Sequence, residues 1–123
     1  MQIVHGICFD VAVDLHPDSA TYDKWHGENL TEENKRQYLI PRGFAHGFLV
    51  LSDVVELCYK CDDFYHPNDE GGLAWNEPGI GISWPEIVGE YQEMASAEGY
   101  ALANGTPLKL SEKDQRWDAL KCL

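Results

Sequence analysis

Apolar residues occupy every second position from Ile7 to Leu15. Ile7, Phe9, Val11, Val13 and Leu15 alternate with Cys8, Asp10, Ala12, Asp14 and His16. Side chains on an extended chain point to opposite faces in turn, so this alternation predicts a half-buried strand that ends at His16-Pro17-Asp18-Ser19. A shorter extended segment from Tyr22 leads to Leu30, and Thr31-Glu32-Glu33-Asn34-Lys35 has the polar composition of a turn. Gln37 to Ile40 is extended and stops at Pro41, which biases the residue before it toward β geometry. Arg42-Gly43 completes a tight turn, and Phe44 to Leu51 resumes as an apolar strand. Ser52-Asp53 breaks it before a further alternating strand from Val54 to Cys61.

Asp62 to Gly72 is dense in acids and turn residues and predicts a surface loop. Leu73-Ala74-Trp75 and Ile80 to Trp84 read as short extended pieces. Glu86 to Ala103 has helical potential that Gly89 and Gly99 weaken. Ser111 to Leu123 predicts a helix capped by Ser111, with Trp117 and Leu120 on one side. Short strands with turns roughly every eight to twelve residues predict an all-β sandwich or barrel. The 123 residues make one domain, without repeat, low-complexity tract or linker. The alternating strand begins almost at Met1, so the chain reads as if it starts inside a fold.

Charge narrows the partners. Nine Lys and Arg against 21 Asp and Glu give a net charge of −12. That field repels phosphate backbones and anionic lipid, which disfavours nucleic acid and membrane surfaces. One anionic small molecule remains compatible, because a pocket needs only a few local cations. No apolar run approaches the roughly 18 residues of a membrane helix, and the first residues lack the regions of a signal peptide. The chain reads as soluble and cytoplasmic.

Candidate chemistry is sparse. Cys58 and Cys61 form C-x-x-C, but residues three apart on a strand face opposite ways, so the two thiols would not converge on one metal. The histidines at 5, 16, 26, 46 and 66 are scattered, and H-x-H, which a metal-binding cupin uses, does not occur. Pro41 to Phe48, PRGFAHGF, is a turn followed by a strand whose His46 is suited to point into a barrel; taken alone it equally suits a structural turn with a satisfied histidine.

Several ordered blocks together carry more. FDVAVDL at 9–15, LTEENKRQ at 30–37, IPRGFAHGF at 40–48 and LCYKC at 57–61 resemble the dTDP-4-dehydrorhamnose 3,5-epimerases in sequence, order and spacing. Trp75-Asn76, Gly81 to Pro85 and the terminal Leu110 to Asp114 continue the likeness, with residues 86–109 between them as an insertion. The resemblance implies a metal-free, cofactor-free cupin jelly roll acting on a dTDP-linked 4-keto-6-deoxy sugar, and possession of the family's dimeric assembly. A C4 ketone acidifies the protons at C3 and C5, so bases and donors flanking the ring invert each carbon through an enolate.

By position in these blocks, Tyr59 matches the family's proton donor and Asp114 the carboxylate that serves its catalytic histidine. Tyr65 matches the aromatic residue that stacks on thymine, and His46, Glu70 and Lys113 match substrate-binding positions. Asp114 also lies three residues after Ser111, where a capping role is equally natural. The family's base lies in an R-G-L-H block upstream of FDVAVD. No R-G-L-H occurs here, and His5 does not stand in its place. The chain therefore reads as a C-terminal portion of such an enzyme, a jelly roll truncated at its N-terminus and followed by a C-terminal helix. The competing reading is a non-catalytic remnant that binds a thymidine nucleotide or dimerises.

Overall fold

The computed structural model describes residues 1–41, 43–60, 73–91, 93–112 and 114–115. They form seven strands: β1 (Gln2–His5), β2 (Ile7–Asp14), β3 (Trp25–Thr31), β4 (Phe44–Val50), β5 (Glu56–Cys58), β6 (Ile87–Val88) and β7 (Ala101–Leu102). β2 is central, antiparallel to β3 on one side and β4 on the other. β1 pairs with β5, and β6 with β7, as two-stranded sheets.

The alternation of residues 7–15 forms the expected strand, but not a half-buried one. Cys8, Asp10, Ala12 and Asp14 are as buried as Val11 and Val13, whereas Ile7 is exposed. The reason lies in what covers each face. Val11 and Val13 pack with Phe9, Trp25 and Ala45 against Leu73, Ile80, Ile82 and Trp84. On the other face Cys8 and Leu30 meet Ile3, with Met1, Tyr38, Val55 and Leu57 around them. The β1–β5 pair thus covers the face that the polar residues of β2 share. Where β1 turns into β2, Gly6 takes φ +97°, and a β-carbon there would collide with the Val54 carbonyl.

Sharp turns carry the connections. Asp14 is buried at the end of β2, and its carboxylate gathers the loop that follows. It accepts from the His16 amide at 2.9 Å and ring at 2.8 Å, the Ser19 hydroxyl at 2.7 Å, and the Thr21 hydroxyl. These bonds, led by that of Thr21, hold the Asp14 carboxyl well below the usual carboxylate range. Thr31 and Asn34 exchange side-chain bonds with each other's amides, forming the expected polar turn after β3.

Several expected elements differ. The described residues of 86–103 are not helical: β6 and β7 pair there, and Glu86, Gly89, Ala95 and Gly99 all have positive φ, which no right-handed helix propagates. The helix expected from Ser111 is likewise absent from the described residues, which form turns. The Gln115 side-chain amide donates to the carbonyls of Leu110 and Ser111, which a helix would give to backbone amides. Residues 116–123 lie outside the described residues. Leu73–Trp75 and Ile80–Trp84 pair with no strand among the described residues; turns at Trp75-Asn76 and Pro78–Ile80 fold them onto β2. Among the described residues Gln37 makes one bridge, to Gln2, and the pairing expected over 54–61 is seen in β5 alone.

Candidate active site

Register places the chemistry. Ala12 lies opposite both His26 and His46, and Asp10 lies opposite Glu28 and Phe48. Directly opposed residues share a sheet face, so His26, Glu28, Asp10 and His46 all belong to the face that carries Cys8. Asp10 is fully buried, and its Oδ1 accepts a hydrogen bond from Nε2 of His46, its diagonal neighbour on β4. The His46 side chain remains 34% exposed, so one edge of the ring is tied inside while the other is reachable. Oδ2 of Asp10 is buried with no hydrogen-bond partner among the described residues.

The neighbourhood responds to that carboxylate. Burial, and then the charge of Asp10, push the Cys8 thiol up to about 12. Burial, followed by the charges of Asp10 and Glu28, raises the Tyr38 phenol. Its hydroxyl donates to the His26 carbonyl at 2.9 Å. Glu28 bonds the His26 ring at 2.8 Å and Arg36 at 3.0 Å. The His26 bond comes first among the causes that hold its carboxyl below the ordinary value.

One cleft of about 920 Å³, which Asp114 also lines, is walled by Val11 and Val13, β4, the Trp75 and Trp84 region and residues 104–111, on the sheet face opposite the His46 ring. The Asp114 amide donates to Ser111 Oγ at 3.2 Å, the bond a capping serine accepts, but the described residues there form turns and no helix start. Tyr59, just beyond β5, is 65% exposed and is not among the described residues lining that cleft. Tyr65, Glu70 and Lys113 lie outside the described residues. Cys58 is exposed and Cys8 buried, both as free thiols, and Cys61 lies outside the described residues. Among the described residues no three His, Cys, Asp or Glu side chains converge as metal ligands. No described helix is long and apolar enough to cross a membrane.

Asp10 is the residue that sequence reasoning passed over. Alternation assigned it to the polar side of a half-buried strand, where a carboxylate needs no partner. Its signal was indirect: an acid at the centre of the most apolar strand, one strand away from the histidine of PRGFAHGF.

The described residues make a β-sheet protein in which a buried carboxylate holds a partly exposed histidine. The chain belongs to the dTDP-4-dehydrorhamnose 3,5-epimerase family, whose profile matches residues 1–121. It is 43% identical over 122 residues to dTDP-4-dehydrorhamnose 3,5-epimerase of Methanothermobacter thermautotrophicus, covering 98% of this chain and 57% of that protein. It is 37% identical to dTDP-4-dehydrorhamnose 3-epimerase of Streptomyces niveus, covering 95% of this chain and 46% of that one. Its fold is similar to the crystal structure of dTDP-6-deoxy-D-glucose-3,5-epimerase from Legionella pneumophila in complex with dTDP-4-keto-L-rhamnose. The TM-score is 0.78 at 38% identity, over 96% of this chain and 53% of that one. The chain spans about half the length of the curated relatives it matches.

Proposed function

We propose that this chain contributes to the epimerisation of a dTDP-linked 4-keto-6-deoxy sugar at C3 and C5, a step of dTDP-L-rhamnose biosynthesis. The observation that carries this reading is the likeness, over 96% of the chain, to a solved epimerase holding dTDP-4-keto-L-rhamnose. A ketone at C4 lets a base remove the proton from either neighbouring carbon; the electron pair moves toward the carbonyl oxygen and an enolate forms. A donor on the opposite face returns a proton and inverts the centre. In this reading Tyr59 is the donor, Asp114 serves an imidazole, Tyr65 stacks on thymine, and His46, Glu70 and Lys113 bind the substrate. The fold is a cupin-type jelly roll, the working assembly a cytoplasmic homodimer, and 86–109 a family-atypical insertion.

The test is deuterium uptake. The purified protein is incubated in D₂O with dTDP-4-keto-6-deoxyglucose, and C3 and C5 are read by mass spectrometry. Uptake well above the buffer control at both carbons is expected. Uptake at C3 alone would align the chain with 3-epimerases such as its Streptomyces niveus relative. Background uptake together with a thermal shift by dTDP would replace the catalytic reading with that of a nucleotide-binding module.

A further inference from the structure

We propose that Asn104-Gly105 is a self-modification site, where the Asn104 side chain closes on the Gly105 amide and is converted to aspartyl and isoaspartyl forms. The pair lies in an exposed turn after β7, with Gly105 at φ +91°. A β-carbon built on Gly105 would meet nothing within 4 Å, so no atom crowds that side of the backbone. The Thr106 amide donates to Asn104 Oδ1 at 3.0 Å. That bond draws electrons from Cγ and stands ready for the oxyanion that forms when a nucleophile adds there. Of the five asparagines in the sequence, Asn104 alone precedes glycine.

Asn34 supplies the comparison within the same molecule. Its Oδ1 accepts from the Arg36 amide at 3.0 Å, and the Lys35 amide donates to the Thr31 carbonyl at 3.1 Å. The Gly105 amide likewise donates to the Leu102 carbonyl at 2.9 Å. The two sites share the polarised side-chain carbonyl and the tied following amide. They differ in that Lys35 carries a side chain where Gly105 has none. Asn34 and Asn76 are also anchored through Nδ2, to the carbonyls of Asn29 and Glu93, each at 3.0 Å. The Leu102 bond must open before the Gly105 nitrogen attacks. It closes a surface turn on a two-residue strand, a contact of the kind that opens locally at small cost.

The reaction needs only water. The Gly105 nitrogen gives up its proton and bonds to Asn104 Cγ, the Cγ–Nδ2 bond breaks, and ammonia leaves with that proton. Water then adds to either carbonyl of the resulting succinimide. Opening at Cγ restores an ordinary backbone with aspartate; opening at the main-chain carbonyl leaves isoaspartate, which lengthens the backbone by one carbon. The turn cannot absorb that carbon unchanged. Leu102 donates to the Thr106 carbonyl at 2.7 Å, Leu108 to the Tyr100 carbonyl at 3.1 Å, and Ala101 bridges Pro107. Residues 104 and 106–111 line the cleft, so the isoaspartyl form shifts that wall, whatever the cleft holds.

Ageing the purified protein at pH 6 and pH 8, with peptide mass spectrometry, tests the site. Conversion at Asn104 should outpace that at Asn29, Asn34 and Asn76, run faster at pH 8, and vanish in Asn104→Gln. Its native rate should fall within about tenfold of that in the urea-unfolded chain, as a cheap local opening requires. Conversion in urea but not in the native protein would overturn the proposal, because the Leu102 bond would then protect the site. Equal native rates at Asn104 and Asn34 would overturn it too. Hydrogen exchange tests the consequence. The Leu102 and Leu108 amides should lose protection in the chromatographically separated isoaspartyl form and keep it in Asn104→Asp. Retained protection in the isoaspartyl form would overturn the movement of the wall.

Discussion

The ring of Phe9 on β2 packs against the Cα of Gly27 on β3, so closely that a β-carbon at residue 27 would stand 2.2 Å from Cζ. The contact explains a glycine inside a strand, where glycine otherwise weakens the sheet. It also lets Phe9 reach Trp84, edge to face with centroids 6.2 Å apart, and so joins the sheet to the segment covering it. Gly27→Ala should destabilise the fold by about 1–3 kcal/mol, the usual range for overpacking. Denaturant unfolding would measure this, and Gly27→Ala combined with Phe9→Leu should recover part of the loss. A neutral Gly27→Ala would mean that the ring moves aside freely.

Acid should loosen the turn after β2. The Asp14 carboxyl sits below its ordinary value because Thr21, His16 and Ser19 donate to its ionised form. A carboxyl lowered on folding contributes stability that is complete above its unfolded value, roughly pH 4, and lost as pH falls through the folded value. Asp14→Asn should therefore destabilise the protein at neutral pH and flatten the stability profile below about pH 4. Thermal midpoints from pH 2 to 7 for both proteins would show curves that converge at the acid end. Parallel curves would remove Asp14 from the account.

Leu30 is 1% exposed and fills the space between Cys8 and Ile3. Leu30→Ala should cost about 2–5 kcal/mol, combining lost transfer energy with an unfilled cavity. A loss below 1 kcal/mol in urea unfolding would show that the β1–β5 cover collapses onto the gap.

The two described thiols should differ in reactivity. Cys8 is fully buried with its thiol pushed up to about 12, whereas Cys58 is exposed. The thiolate is the reactive form. Iodoacetamide at pH 8 should alkylate Cys58 in the native protein well before Cys8, with the peptides resolved by mass spectrometry and both labelled after unfolding. Equal native rates would mean that β2 is not covered as described.

Tyr59 offers a clean test of the donor role. Because the residue is 65% exposed, Tyr59→Phe should shift stability by no more than about 0.5 kcal/mol. Loss of one general acid lowers a rate by roughly 10²–10⁴. Deuterium return to the substrate should fall by that order while the thermal midpoint holds. Full activity in Tyr59→Phe would move the donor elsewhere.

Much of the frame was legible before folding was considered. Alternation at 7–14 marks β2, Pro41 and Gly43 bracket the start of β4, and the polar run at 31–35 marks the turn after β3, because each signal depends only on near neighbours in the chain. The described residues of 86–103, and residues 111, 112, 114 and 115, do not form the helices expected there, for a local reason that composition does not show. Residues with positive φ fold the first segment into a hairpin, and the Gln115 side chain takes the carbonyls that the second would need.

The sequence by itself determines which residues can pair as strands, where the chain must turn, and which blocks mark the epimerase family. Only the tertiary structure decides that β2 is buried on both faces. Residues 73–84 cover one face and the β1–β5 pair covers the other, contacts that join parts of the chain far apart in sequence. That double cover turns Asp10 from a solvent-facing acid into a buried carboxylate. Burying an ionised group without a partner is costly, so Asp10 and His46, 36 residues apart, are held together.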